Sequence, residues 1–296
     1  MKRTLVILVV AIGIVCLLGP STLAGDVEVV GGYLYSTLDP QDLNETFNEF
    51  DNAIYLGDKV VDVIDFIDRR NYLDFDYRPD YIDDIRGTNG FYLGITKELA
   101  DSEGNITLQY EKYNTGTEGG VDGIIKVKDP YYYPQVNSEY IYQIEFGANT
   151  DVDLDIEGLT FNLSQQLNKR LALNGGIGYY RGNGEVVYNQ YLKLPPMKMA
   201  YYSEDEGVIE SESLYKLTLE ESFGWKVGAT YTEILTEDID FIANANYRHL
   251  IMDIYVDDSQ AKENLLKELL FPNKNDFPEE EDFSGLELNV GLSIYF

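Results

Sequence analysis

Cysteine, histidine, tryptophan and basic side chains are all scarce in this 296-residue chain. It contains one residue each of cysteine, histidine and tryptophan, and its 22 Lys and Arg oppose 52 Asp and Glu, for a formal net charge of −30. The only cysteine, Cys16, lies in an N-terminal apolar run, so the rest of the chain offers no disulfide and no thiolate. The acidic balance argues against nucleic acid as a partner, because binding phosphates needs a basic face.

The N-terminus has the pattern of a secretory signal peptide. Lys2 and Arg3 precede an apolar run, and small residues then lead to Ala24. We predict a cleaved signal peptide at 1–24 and a mature protein at 25–296. An uncleaved anchor is the alternative, although the run is short for a spanning helix. No later apolar stretch is long enough for such a helix, which leaves either a free exported protein or a β-barrel.

Apolar and polar residues alternate with a period of two in many segments. In the last one, every second residue from Leu286 to Phe296 is apolar, over about the length of a membrane-spanning strand. Glycine and small polar residues fill the opposite faces, which suits the crowded inside of a narrow barrel. The other alternating segments are Val27–Thr37, Gly90–Glu98, Asn105–Tyr113, Tyr140–Ala148, Asp151–Leu167, Leu171–Arg181, Ser222–Glu233 and Asp238–Ile251.

The terminal Phe296 resembles the C-terminal signature of bacterial outer-membrane β-barrels, whose last strand is read by assembly machinery. Short links at 99–104, 168–170 and 234–237 alternate with long ones at 38–88, 114–139, 182–221 and 252–284, like the periplasmic turns and outer loops of such barrels. The resemblance is to the small eight-stranded OmpA/OmpW-like class. It implies an all-β, antiparallel up-and-down transmembrane β-barrel in the bacterial outer membrane, Phe296 as assembly signal, and lipid and the barrel assembly machinery as partners.

The strand count depends on one change of phase. Apolar residues take even positions from Tyr140 to Ile156 and odd positions from Leu159 to Leu167. A β-bulge at 157–158 keeps one long strand, with 140–150 rising as a loop hairpin, and gives eight strands. A tight turn there would give ten, and we prefer eight.

The link after the first strand predicts an amphipathic helical insertion at about 39–70. Leu43, Phe47 and Phe50 follow Asp39-Pro40 at helical spacing, and Asp39 can cap the helix. A second apolar stripe continues from Val60 to Ile67, so one or two helices are expected, packed on the barrel rim or on lipid. A further short helix is possible at 260–271.

If Trp225, Phe241 and Leu286 face lipid, the residues between them face the lumen. Lys226 and Arg248 are then expected to pair with acids such as Asp240, because unpaired buried carboxylates are costly. Both a salt-bridged, hydrated plug and a narrow cation path fit this register. The predicted lumen-facing charges are Glu28, Glu98, Glu111, Asp153, Asp155, Lys226, Asp240, Arg248 and Glu287.

Little in the chain suits catalysis. His249 ends a strand in a context that departs from the Asp-x-His motif of omptin-type proteases. The mature chain has no second histidine and no thiol to complete a triad or a zinc site. The acidic runs lack the spacing of calcium loops. We therefore predict no enzyme, no metal and no cofactor. A structural or surface-interaction barrel is preferred, since side chains can fill an eight-stranded lumen. A narrow channel for small cations or apolar solutes is the first alternative, and an outer-membrane enzyme, retained only because of His249, is the second.

Overall fold

The computed structural model describes residues 27–38, 40–50, 72–80, 84–99, 104–128, 141–194, 207–257 and 277–295. Five predicted features lie outside these residues: the signal peptide, the helix cap Asp39, the helical stripe at 60–67, the short helix at 260–271 and the terminal Phe296.

The described residues form eleven strands and one helix. In chain order these are β1 (Val27–Ser36), α1 (Gln41–Phe50), β2 (Tyr72–Asp80), β3 (Thr88–Glu98), β4 (Gly104–Lys128), β5 (Ile141–Gln166), β6 (Leu171–Leu194), β7 (Gly207–Ile234), β8 (Ile239–His249), β9 (Ile251–Asp257), β10 (Glu280–Asp282) and β11 (Gly285–Tyr295).

Eight of these strands close into a ring. The order is β1, β3, β4, β5, β6, β7, β8 and β11, and β11 pairs back with β1, every neighbour being antiparallel. The predicted eight-stranded up-and-down barrel is therefore confirmed, and the ten-stranded alternative is wrong. We call the end that carries the short connections at 99–104, 167–170 and 235–238 the lower end, and the opposite end the upper end.

The wall of the barrel continues upward where long loops were predicted. β4, β5, β6 and β7 contain 25, 26, 24 and 28 residues, more than twice what a membrane-spanning strand needs. β2 pairs with the upper part of β4, β9 pairs with the upper part of β7, and β10 pairs with β9. The predicted loops at 38–88, 114–139, 182–221 and 252–284 are thus partly strand, which corrects that prediction.

Strand β5 has no bulge at Glu157 and Gly158, so that prediction is wrong. Its register runs without a shift, and Gly158 pairs with Glu111 on β4 and with Tyr180 on β6. Even-numbered side chains therefore face the interior along the whole strand, including the residues at 141–150 that were expected to form a separate hairpin.

The change of phase marks an inversion of polarity. Above Gly158 the inward side chains of β5, such as Val152 and Leu154, are apolar and buried, and the outward ones are largely acidic. Below it, Phe161 and Leu163 point outward and are 41% and 51% exposed, whereas the inward residues are polar. Such an exchange is expected where a wall passes from an apolar medium into water, because apolar groups turn outward in one and inward in the other.

A bulge occurs on β7 instead. Tyr180 pairs with Ser222 and Gly182 with Leu219, so two residues of β7 oppose the single residue Arg181 of β6. The inward face of β7 changes from odd to even positions at this level. At the same height, β7 changes its inward face through a bulge, whereas β5 keeps its inward face and exchanges apolar for polar residues on it.

An apolar belt surrounds the lower half of the barrel. On seven strands of the ring or at their ends, its side chains are large, outward-facing and exposed: Val27, Phe91, Leu93, Ile95, Leu99, Phe161, Leu163, Leu171, Leu173, Ile177, Phe223, Trp225, Val227, Ile234, Tyr247, Leu286, Leu288, Val290, Leu292 and Ile294. On the eighth strand, β4, the partly exposed Ile106 and Leu108 complete the belt. The belt is about nine residues tall on β11, from Leu286 to Ile294, close to the length that spans a bilayer.

Helix α1 packs into the upper end rather than on an outer surface. Leu43 and Phe47, which the helical spacing placed on one face, are fully buried in the upper apolar core. The Glu281 carboxylate of β10 accepts a hydrogen bond from the Leu43 N–H at 2.7 Å, close to the start of the helix. The Asn44 side chain exchanges two hydrogen bonds with the backbone of Ile85. This helix, the one found in the described residues, is not long and apolar enough to cross a membrane.

Candidate functional site

Four charged side chains meet inside the barrel at the level where polarity inverts. Lys226 on β7 donates to Glu111 on β4 and lies 3.5 Å from Glu287 on β11. Arg248 on β8 has its Nη1 3.8 Å from Glu287 Oε2. All four are almost completely buried. We call these four residues the charge cluster. The negative charges of its two acids equal the positive charges of its two bases.

Ring closure brings the charge cluster together. Lys226 and Arg248 are direct cross-strand partners on β7 and β8, and Glu287 lies on the next strand. Glu111 comes from β4, which is diametrically opposite β8 in an eight-stranded ring. The Lys226–Glu111 ion pair therefore reaches across the lumen, whereas Arg248 and Glu287 lie on neighbouring strands.

Two buried tyrosines add to the charge cluster. The Tyr113 hydroxyl lies 2.7 Å from Glu111 Oε2 and 2.8 Å from Glu287 Oε2, within hydrogen-bond distance of both. Its ring lies 4.3 Å beneath the Arg248 guanidinium, an aromatic contact that stabilises a cation. The Tyr180 hydroxyl donates to Glu111 at 3.3 Å.

Buried amides supply further donors to the two carboxylates. Gln109 donates to Glu111 Oε1 at 2.8 Å, and Asn246 and Asn289 donate to Glu287 Oε1 at 3.1 and 2.9 Å. A buried ion pair repays its desolvation only when additional hydrogen bonds satisfy the charged atoms, and these carboxylates meet that requirement.

Inward-facing glycines leave room for the buried side chains around the charge cluster. A Cβ added at Gly158 or Gly178 would lie 2.4 Å from the ring of Tyr180. Gly158 was predicted to lie at a β-bulge; the structure shows instead that the absence of a side chain there makes room for the Tyr180 ring. Above the charge cluster the interior is filled by the apolar core, so the described residues close the lumen at two levels.

Below the charge cluster lies a cavity of about 260 Å³. Its wall is rich in Asn, Gln, Ser and Thr, and residues of the turn at 167–170 border it, which places it at the lower end. Glu28 and Asp240 are buried in this wall. Glu28 Oε2 accepts a hydrogen bond from the Ser293 hydroxyl, and Asp240 Oδ2 accepts one from the Tyr295 hydroxyl, both at 2.7 Å.

The structure places seven of the nine predicted lumen charges in the interior or at its lower end, and two on the outer face. Glu28, Glu111, Lys226, Asp240, Arg248 and Glu287 are buried inside the barrel, and Glu98 is exposed at the lower end, where it borders the cavity.

Asp153 and Asp155 were placed wrongly in the lumen. Both lie on the outer face of β5, where Asp155 bonds to Lys112 at 3.3 Å, because β5 keeps its facing without a bulge. The expected partnership of Asp240 with the two bases is also wrong, since Lys226 and Arg248 face Glu111 and Glu287.

Sequence reasoning missed the neutral members of the site. Tyr113, Gln109 and Glu111 share one face of β4 at a spacing of two, and this spacing was the available signal. Tyr180 carried no such signal, because its acidic partner lies on a strand that is not adjacent in the ring.

His249 lies outside the lumen. Its Nδ1 is 2.9 Å from the Ser284 hydroxyl oxygen, and its ring is 5.4 Å from that of Trp225. The nearby Asp282 accepts from the backbone N–H of Ser284 at 2.8 Å and not from the imidazole, so a Ser-His-Asp relay is not assembled. No cluster of His, Cys, Asp and Glu suited to a metal ion occurs in the described part of the chain.

No protein-family model and no curated protein matches this chain. Among solved structures, it is similar to Ail, the attachment invasion locus protein of Yersinia pestis in complex with the heparin analogue sucrose octasulfate, at 10% identity and a TM-score of 0.35, covering 92% of this chain and 99% of that one.

Two further structures show a similar likeness. The outer membrane protein OprG from Pseudomonas aeruginosa has 11% identity and a TM-score of 0.37, covering 93% of this chain and 97% of its own. Neisserial surface protein A has 11% identity and a TM-score of 0.33, covering 91% and 97%. Because these TM-scores are below 0.5, the barrel assignment rests on the chain's own strand pairing.

Proposed function

We propose that this chain is a closed barrel of the bacterial outer membrane that carries a rigid acidic β-structure above the membrane for surface interaction. The inversion of polarity on β5 is the observation that supports this proposal most directly. Its outward residues are apolar and exposed at Phe161 and Leu163 and acidic at Asp151 and Asp153, on one strand without a register shift.

The apolar belt fits a lipid bilayer. A ring of outward-facing apolar side chains, exposed on seven of the eight strands, is unfavourable in water and favourable in lipid. Its height matches the nine to eleven residues that a tilted strand needs to span the hydrocarbon core. Aromatic residues are grouped near its upper edge, where Trp225 and Tyr247 contact each other, as is usual at membrane interfaces.

Closure of the lumen favours a structural or surface role over a channel. The charge cluster spans the interior at mid-height, and the apolar core with α1 fills the upper half. The outer face of the upper half offers a broad, regular surface built from β4 to β7. Its negative side chains suit a partner with a basic surface.

The chemistry present supports a non-enzymatic role. The acids and bases of the charge cluster are engaged with one another and with tyrosine and amide groups. Such a network rigidifies a protein interior. Within the described residues, no carboxylate bonds to the His249 ring to orient it.

Cysteine accessibility tests the proposed placement along one strand. Cys16 is the only cysteine in the sequence, so the parent chain supplies the background control. With a membrane-impermeant maleimide on intact cells, we expect labelling of Asp153→Cys, but none of Phe161→Cys in the lipid belt or Asn168→Cys in the lower turn. Permeabilising the outer membrane should expose only the Asn168 variant in addition. Labelling of Phe161→Cys in intact cells, or protection of Asp153→Cys, would contradict the proposal.

Conductance tests the closed lumen. Purified protein in planar bilayers is expected to give no stepwise current in simple salt. Regular single-channel openings in the wild type would overturn closure and restore the channel alternative.

A further inference from the structure

We propose that the cavity at the lower end of the barrel binds a small organic cation rich in N–H donors, of the alkyl-diammonium or guanidinium class. This site faces away from the proposed surface role and does not depend on it.

Three side chains that line the cavity hold buried oxygens without a hydrogen-bond partner in the described residues. They are the Tyr92 hydroxyl and the Oδ1 atoms of Asn246 and Asn289, and each residue is at least nine-tenths buried. The orientation of the two amides follows from Glu287. A carboxylate accepts and does not donate, so each amide must turn its nitrogen to Glu287 and keep its oxygen for another donor.

Two carboxyl groups continue the row of acceptors toward the lower end. Glu28 and Asp240 flank β11 on β1 and β8, and each is 6% exposed. The group that donates to Asp240, the Tyr295 hydroxyl, is neutral. No Lys or Arg of the described residues lies within salt-bridge distance of Asp240.

The basic residues near the cavity are engaged or exposed. Lys226 at its upper end bonds to Glu111 and lies near Glu287, and the charge cluster is neutral as a whole. Arg170 at the lower rim lies 3.0 Å from Glu233, with its side chain 61% exposed. Lys169, which also borders the cavity, is exposed at the same rim. Water screens a charge at the rim far more than one in the buried wall, so the Asp240 carboxylate contributes most to the field inside the cavity.

An organic cation fits this lining better than a bare metal ion. No described group of three acids or other metal ligands is close enough to hold a metal. A diammonium molecule carries donors at both ends, so one end can meet the amide and phenol oxygens while the other meets the carboxylates. Charged donors also make the stronger hydrogen bonds in a buried site.

Titration calorimetry on the folded protein in detergent tests the proposal, with 1,4-diaminobutane as the probe. We expect saturable binding, and no binding of 1,4-butanediol, which has the same length and no charge. Asp240→Asn keeps the shape of the wall and should weaken binding about tenfold or more. Asp153→Asn removes an acid from the outer face and should leave binding unchanged.

Tyr92→Phe separates a binding role from a structural one. Because the hydroxyl has no partner in the described structure, its removal should leave thermal stability unchanged or raised while weakening diamine binding about threefold or more. Absence of diamine binding to the wild type, equal binding of the diol, or an equal loss in Asp153→Asn would each overturn the proposal. Unchanged binding in both Asp240→Asn and Tyr92→Phe would also overturn it.

Discussion

Replacing Lys226 with methionine tests the central electrostatic feature of the barrel. Methionine keeps much of the apolar stem and removes the ammonium that bonds to Glu111 and lies 3.5 Å from Glu287. The charge cluster then changes from neutral to a net charge of −1. Breaking a buried ion pair by removing one partner costs about 3–5 kcal/mol, since the remaining charge keeps its desolvation penalty. We expect Lys226→Met to lower the free energy of unfolding by that amount.

The second substitution Glu111→Gln should rescue much of the loss. In the double variant one acid, Glu287, remains opposite one base, Arg248, so the cluster is neutral again. We expect the double variant to be more stable than Lys226→Met alone by at least about 1 kcal/mol, a non-additivity typical of residues in direct contact.

Urea unfolding in lipid vesicles measures both effects. Trp225 is the only tryptophan and lies on the outer belt, so its emission should report departure from lipid. Lys193→Met is the matched control, because the Lys193 ion pair with Glu145 is largely exposed and should contribute less than about 1 kcal/mol. A stability of Lys226→Met within about 0.5 kcal/mol of the wild type, or strictly additive effects in the double variant, would refute the reasoning.

Three further outcomes are expected. Gly158→Ala places a methyl group 2.4 Å from the Tyr180 ring and should cost about 1–3 kcal/mol in the same unfolding assay, whereas Gly175→Ala meets no atom closer than 3.7 Å and should be near neutral. Burial raises the pKa of Glu281 from 4.5 to about 7. The folded state holds this proton more tightly than the unfolded chain, so about 1–2 kcal/mol of stability, allowing for screening by solvent, is present below pH 4.5 and lost as the pH rises through 7. Urea unfolding from pH 4.5 to 8 should show that slope in the wild type and not in Glu281→Gln. Deleting Phe296 should block assembly in cells without preventing refolding in vitro, and normal surface levels of the truncated protein would contradict this.

Much of the lower barrel could be predicted from the sequence because its determinants are local. A period of two places alternate side chains on opposite faces, so Trp225, Leu286 and their neighbours set the outward face without knowledge of their partners. The same rule placed Glu287, Lys226 and Arg248 inside. On α1 the spacing of Leu43 and Phe47 predicted the buried face in the same way.

The upper barrel and the ion-pair partners required the tertiary structure. A phase change in an alternating strand has the same sequence pattern whether the backbone bulges or the surroundings invert, and only the unshifted pairing of β5 with β4 and β6 distinguishes the two. Ring closure likewise decides which acid meets Lys226, since Glu111 is 115 residues away and comes from across the lumen. Sequence alone determined the facing of most side chains; which of them meet depends on contacts between distant strands, which only the closed ring provides.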